Sequence, residues 1–124
     1  MKIDELMIGD WVQVPSLIDN VEHYDAWCRV KQLRDCDLDV FGFKGVKYDE
    51  IVPIPLTPEI LEKNGWTNDH FSIQRQEWWL DRTKFPIVRY STNDALHHNA
   101  IVLEYVHELQ HALKLHRINK IIEL

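Results

Sequence analysis

The chain has 124 residues, 45% hydrophobic and 27% charged, which fits one ordinary globular domain or two small lobes and excludes a disordered or fibrous protein. No run approaches the roughly 18 consecutive apolar residues of a membrane span, and Met1-Lys2-Ile3-Asp4-Glu5-Leu6 carries acids where a secretory leader needs an apolar run, so a cytoplasmic protein is expected. The net charge of −6 is unevenly placed: residues 1–62 hold 6 basic and 13 acidic side chains (net −7), residues 63–124 hold 8 and 7 (net +1), so the first half as a whole repels a polyanion.

In chain order, a turn at Gly9-Asp10 leads into a strand through Trp11-Val12-Gln13-Val14, up to Pro15. Further strands are predicted over Trp27–Leu33, Leu38–Phe43 and Val46–Ile54. Short strands at this spacing, joined by turn-rich segments, predict a small twisted antiparallel sheet resembling an SH3-like barrel over residues 1–55. Cys28 and Cys36 have no second pair of metal ligands near them and are expected to be reduced thiols.

A helix follows with complete punctuation. Thr57 can cap the first amides, Pro58 suits the first helical position, Glu59 favours the positive end of the dipole, and Asn64-Gly65 can take the left-handed exit. A second sheet is expected from Phe71–Arg75, Glu77–Leu80 and Pro86–Tyr90. Within it Trp78 and Trp79 point to opposite faces, so one of them is either covered by a loop or exposed as a partner contact.

The last predicted helix starts between Asp94 and Val102 and runs to about His116. Val102, Tyr105, Val106, Leu109, Ala112, Leu113 and His116 fall on one arc, with Glu104, His107, His111 and Lys114 opposite, in solvent. Ile121-Ile122-Glu123-Leu124 reads as a terminal strand. Residues 56–124 thus form a second α+β lobe.

His107-Glu108-Leu109-Gln110-His111 matches H-E-x-x-H, in which two histidines one helical turn apart bind zinc and the glutamate activates a metal-bound water. Five of the seven histidines lie in residues 97–116. With seven histidines and nine glutamates, however, roughly 3% of shuffled chains would carry the pattern by chance. The longer H-E-x-x-H-x-x-G-x-x-H form also fails, because Lys114 stands at the glycine and Arg117 at the third histidine, while Glu123, His97 and His98 are poorly spaced as a third ligand. Gly42-Phe43-Lys44-Gly45 lacks the helix start and spacing that cradle phosphate, and no nucleophile elbow or dinucleotide fingerprint is present.

Three blocks carry a family resemblance. Met1-Lys2-Ile3-Asp4-Glu5-Leu6-Met7-Ile8-Gly9-Asp10-Trp11-Val12, the centre from Pro53-Ile54-Pro55-Leu56-Thr57-Pro58 to Asn64-Gly65-Trp66, and Tyr105-Val106-His107-Glu108-Leu109-Gln110-His111-Ala112-Leu113 resemble, in order and over nearly the whole chain, a family of small uncharacterised proteins common in Bacteroidetes genomes, phages and mobile elements. That family typically ends Y-V-H-x-L-Q-N-L, with asparagine where this chain has His111 and often glutamine where it has Glu108. The resemblance implies that H-E-x-x-H is incidental here, and it hands over no functional residue.

The expected protein is therefore α+β and non-enzymatic: an accessory or interaction protein with an unspecified protein partner, no membrane, no cofactor, no metal and no catalytic residue, and with nucleic-acid binding disfavoured by the acidic first half. One alternative is a zinc hydrolase with His107 and His111 as ligands and Glu108 as base. A second is a nucleic-acid-binding module using the N-terminal β-lobe, which requires a local basic and aromatic surface that the overall charge does not reveal.

Overall fold

The computed structural model describes residues 1–18, 21–66, 70–73, 76–80, 88–91 and 100–124. They form two compact units, Met1–Ile54 and Pro55–Leu124. The mixture of antiparallel sheets and two helices is α+β. Among the described residues no helix is long and apolar enough to cross a membrane.

In the first unit, strands β1 (Trp11–Ile18), β2 (Val21–Leu33), β3 (Asp37–Val40), β4 (Phe43–Lys47) and β5 (Val52–Pro53) form an antiparallel sheet in the order β4-β3-β2-β1-β5. Among the described residues the sheet is open, with β4 and β5 at its edges. Breaks in register between Val14 and Ser16, Val30 and Gln32, and Leu38 and Val40 add twist, as an extra residue on one strand does.

Alternation decides which side is buried. Val12, Val14, Cys28, Val30, Leu38, Val40 and Val46 point inward and pack with Leu6 and Ile51. Each such valine or leucine contributes about 1.5–3 kcal/mol relative to an exposed position. Burial pushes the Cys28 thiol pKa up, and both Cys28 and the exposed Cys36 are free. Asp10 closes the turn before β1: its carboxylate accepts the Met7 amide at 2.8 Å, while Gly9 and Asp10 exchange backbone hydrogen bonds with Val30.

Two expected strands divide differently. The third ends at Val40 because Phe41-Gly42 is a two-residue hairpin turn, with Val40 paired to Phe43 and Gly42 at φ 110°, a conformation natural to glycine. The fourth is broken by a 3-10 turn at Tyr48–Glu50, after which only Val52–Pro53 pairs with β1. The Tyr48 hydroxyl donates to the Arg34 carbonyl, and its pKa is raised by burial.

The second unit opens with helix α1 (Pro58–Lys63), which follows its sequence signals closely. Thr57 Oγ1 accepts the Ile60 amide at 3.3 Å, Pro58 occupies the first turn, and Gly65 at φ 88° makes the left-handed exit. The Gly65 and Trp66 amides then donate to the Glu62 and Leu61 carbonyls, satisfying groups the helix end would otherwise leave open. Strands β6 (His70–Ile73), β7 (Gln76–Leu80), β8 (Val88–Ser91) and β9 (Ala100–Leu103) form a four-stranded antiparallel sheet in chain order.

Strand β9 lies where the sequence predicted the beginning of a helix. Helix α2 (Val106–Leu115) starts only after it. Ala100-Ile101-Val102-Leu103 is a β-prone run that pairs with Val88–Ser91, and cross-strand pairing overrides the helical spacing that Val102 shares with Tyr105 and Val106. At the other end, Ile121–Leu124 is not a strand. Asn64 instead reads that segment as a strand would, its side chain donating to the Glu123 carbonyl at 2.7 Å and accepting the Glu123 amide at 2.8 Å. Ile122 is thereby held in the interior.

Candidate functional site

The H-E-x-x-H segment occupies the first turns of α2, and that position decides what Glu108 does. Glu108 is the third helical residue, where a carboxylate can reach back to the free amides before the helix. Its Oε1 accepts the Tyr105 amide at 3.0 Å and the Glu104 amide at 3.1 Å. The carboxylate that would serve a zinc peptidase as base is thus engaged in capping the helix.

His107 is not in solvent, contrary to the helical arc read from the sequence. It is buried, with Val106, Leu109, Ala112 and Leu113 as the other buried residues of α2. Its ring stacks on Tyr105 at 6.0 Å between centroids and meets the half-buried His111 edge-on at 5.6 Å. Val106, Leu109, Ala112 and Leu113 are buried as the arc predicts, and His107, one residue after Val106 in the first turn, is buried in addition to them. His97 and His98 lie outside the described residues, and among the described residues no group of three or more His, Cys, Asp or Glu could hold a metal ion.

Trp78 and Trp79 take opposite faces of β7 as expected. Trp78 is buried and stacks on Tyr90 at 4.5 Å, and Tyr90 in turn meets the His116 ring edge-on with its hydroxyl 3.2 Å from Nε2. Burial raises the Tyr90 pKa. Trp79 is half-buried against its cross-strand partner His70, 5.5 Å between rings.

A different surface concentrates exposed side chains of the kinds that bind ligands. On β2, Cys28 and Val30 point inward, so Trp27, Arg29 and Lys31 leave by the outer face, and on β1 Trp11 and Gln13 do the same. The register sets Trp11 opposite Arg29 and Gln13 opposite Trp27. The Arg29 guanidinium lies over the Trp11 ring at 4.9 Å, and Lys31 Nζ lies over the Phe41 ring at 5.6 Å. Trp27, Phe41 and Phe43 are 44%, 60% and 39% exposed.

Two depressions mark this face. One of about 390 Å³ is lined by Trp11, Trp27, Cys28, Arg29 and Phe41. The other, about 360 Å³, is bounded by Lys31, Asp39, Phe41, Phe43 and Lys44, so Phe41 stands between the two.

Asp39 is held out of play by Arg34, whose guanidinium donates to its carboxylate at 2.6 and 3.0 Å and also to Asp37 at 2.5 Å. The hydrogen bond from Arg34, and after it the Gly45 amide, holds the Asp39 carboxyl well below the usual carboxylate range. No family model, curated protein or solved structure matches this chain. Function must therefore be argued from this geometry.

Sequence reasoning passed over Trp27, Arg29, Lys31, Phe41 and Phe43. The available signal was the strict alternation of Trp27-Cys28-Arg29-Val30-Lys31, in which a tryptophan shares the phase of two cations and is thereby assigned to the solvent side.

Proposed function

We propose that the chain is a non-enzymatic binding module of the phage and mobile-element type its three sequence blocks resemble, and that it engages its partner through the outer face of a coiled, SH3-like N-terminal sheet. One observation carries this reading: Trp27 and Phe41 stand in solvent beside two depressions on the side of the sheet away from its core. Exposed aromatic side chains that adjoin one another mark interaction surfaces in otherwise well-packed proteins. The three register breaks, which coil the sheet, support the SH3-like reading of this unit.

Site-specific photo-crosslinking in cells tests the assignment, comparing the wild type with the double variant Trp27→Ala/Phe41→Ala. A partner captured by the wild type and lost in the double variant, with circular dichroism and thermal midpoint unchanged, is the expected result. Equal capture by both proteins would refute the choice of face.

The hydrolase alternative finds no support in the engagement of Glu108 by two backbone amides. Metal analysis of the native protein is its direct test: stoichiometric zinc lost in His107→Ala would restore it.

A further inference from the structure

Building on the reading of the outer sheet face as a ligand surface, we propose that its ligand is single-stranded nucleic acid, with Trp27 and Phe41 as base-stacking platforms and Arg29, Lys31 and Lys44 as phosphate partners. The first support is the mixture of side chains. A protein-docking patch concentrates apolar side chains at its centre and keeps charge at the rim. Here the cations lie among the rings, two of them directly over Trp11 and Phe41. Flat rings interleaved with cations are what an unpaired strand requires, because each base has a face to stack and each step carries a phosphate.

Spacing supplies the second support. Arg29 and Lys31 flank the inward-facing Val30 on one strand, so both cations lie close together on the outer side. Phe41 separates the two depressions, so a chain crossing from the one beside Trp27 to the one beside Lys44 must pass its ring. A duplex is a poor fit, since its bases are already stacked on one another and are not available to lie on exposed rings.

Charge distribution supplies the third. The first unit holds 6 basic and 11 acidic residues, net −5, yet Arg29, Lys31 and Lys44 border the two depressions. The carboxylate among their lining residues, Asp39, is bound by Arg34. A net charge sums over all faces, whereas a ligand in contact meets one. An acidic peptide shares the need for cations but has no flat groups to occupy the exposed rings, so the stacking surface favours nucleic acid.

The test is titration of the full chain with oligothymidylate of about 12 nucleotides, within the 4–16 range of single-strand sites, followed by tryptophan fluorescence and by anisotropy of a labelled strand. Quenching is expected, with a log–log salt slope no steeper than about −2, since three phosphate contacts at about −0.7 each set the limit. Trp27→Ala and Phe41→Ala should each weaken binding roughly 5- to 150-fold. Lys31→Glu should weaken it too, while all three variants keep the wild-type circular dichroism spectrum. A duplex of the same length should bind more weakly than the single strand.

Absence of quenching and of anisotropy change with the single strand would overturn the proposal, as would a duplex binding equally well. A polyglutamate peptide that binds instead, with the same sensitivity to Trp27→Ala, would also overturn it while leaving the ligand face itself intact. That outcome separates failure of the nucleic-acid assignment from failure of the binding-module reading.

Discussion

The two units use the same residue types to opposite ends. In the C-terminal unit Trp78 and Tyr90 stack face to face at 4.5 Å in the interior, and His107 is drawn into the buried side of its helix. In the N-terminal unit Trp27, Phe41 and Phe43 remain in water, and the charged ends of Arg29 and Lys31 lie over the rings of Trp11 and Phe41. The inner side of that sheet is filled by medium-sized aliphatic residues. A ring in the core contributes to folding through area removed from water, while a ring left outside keeps that contribution available for a ligand.

The largest effect that would sharpen this contrast is on stability. Trp78→Ala removes a buried, stacked indole and should cost about 3–5 kcal/mol, whereas Trp27→Ala should stay within about 0.5 kcal/mol of wild type. Urea unfolding of the two variants checks both. A Trp27→Ala loss comparable with that of Trp78→Ala would break the distinction between core and platform.

A smaller effect separates capping from catalysis at Glu108. Glu108→Ala should destabilise by roughly 0.5–2 kcal/mol through loss of the amide acceptor. Glu108→Gln keeps an oxygen at the same place and should remain near wild type, because glutamine serves at this capping position. Thermal melts of the two variants decide it; a Glu108→Gln protein as unstable as Glu108→Ala would remove the capping account.

The smallest effect concerns pH and the clamp beside the proposed face. Asp39 has a folded pKa depressed by Arg34 and the Gly45 amide, so it favours the native state above its unfolded value of about 4. That contribution is lost as pH falls from about 4 toward the depressed folded value. The stability difference between wild type and Asp39→Asn, followed by urea midpoint from pH 7 downward, should be constant to about pH 4 and shrink below it. A difference that instead grows on acidification would contradict the Arg34–Asp39 clamp.

How much of this was legible in sequence depended on how far each signal reaches. Helix α1 was readable in full, because Thr57, Pro58, Glu59 and Gly65 act on backbone groups within a few residues. The opposite facing of Trp78 and Trp79 followed from the pleat alone. Strand β9 and the C-terminal segment were misread because β-pairing with residues 88–91 and side-chain pairing with Asn64 come from outside the local window.

By itself the sequence determined the α+β character of the chain, the capped helix after Thr57 and the alternation that sorts β2 into inner and outer residues, since these follow from periods of two and 3.6 and from caps that act locally. Only the tertiary structure decided that His107 turns inward and that Trp11, Arg29, Lys31 and Phe41 share one face. The physical reason is that burial and electrostatic environment arise across strands, between residues that the sequence keeps apart by ten positions or more, and a sum of charges along the chain contains no record of which side each one faces.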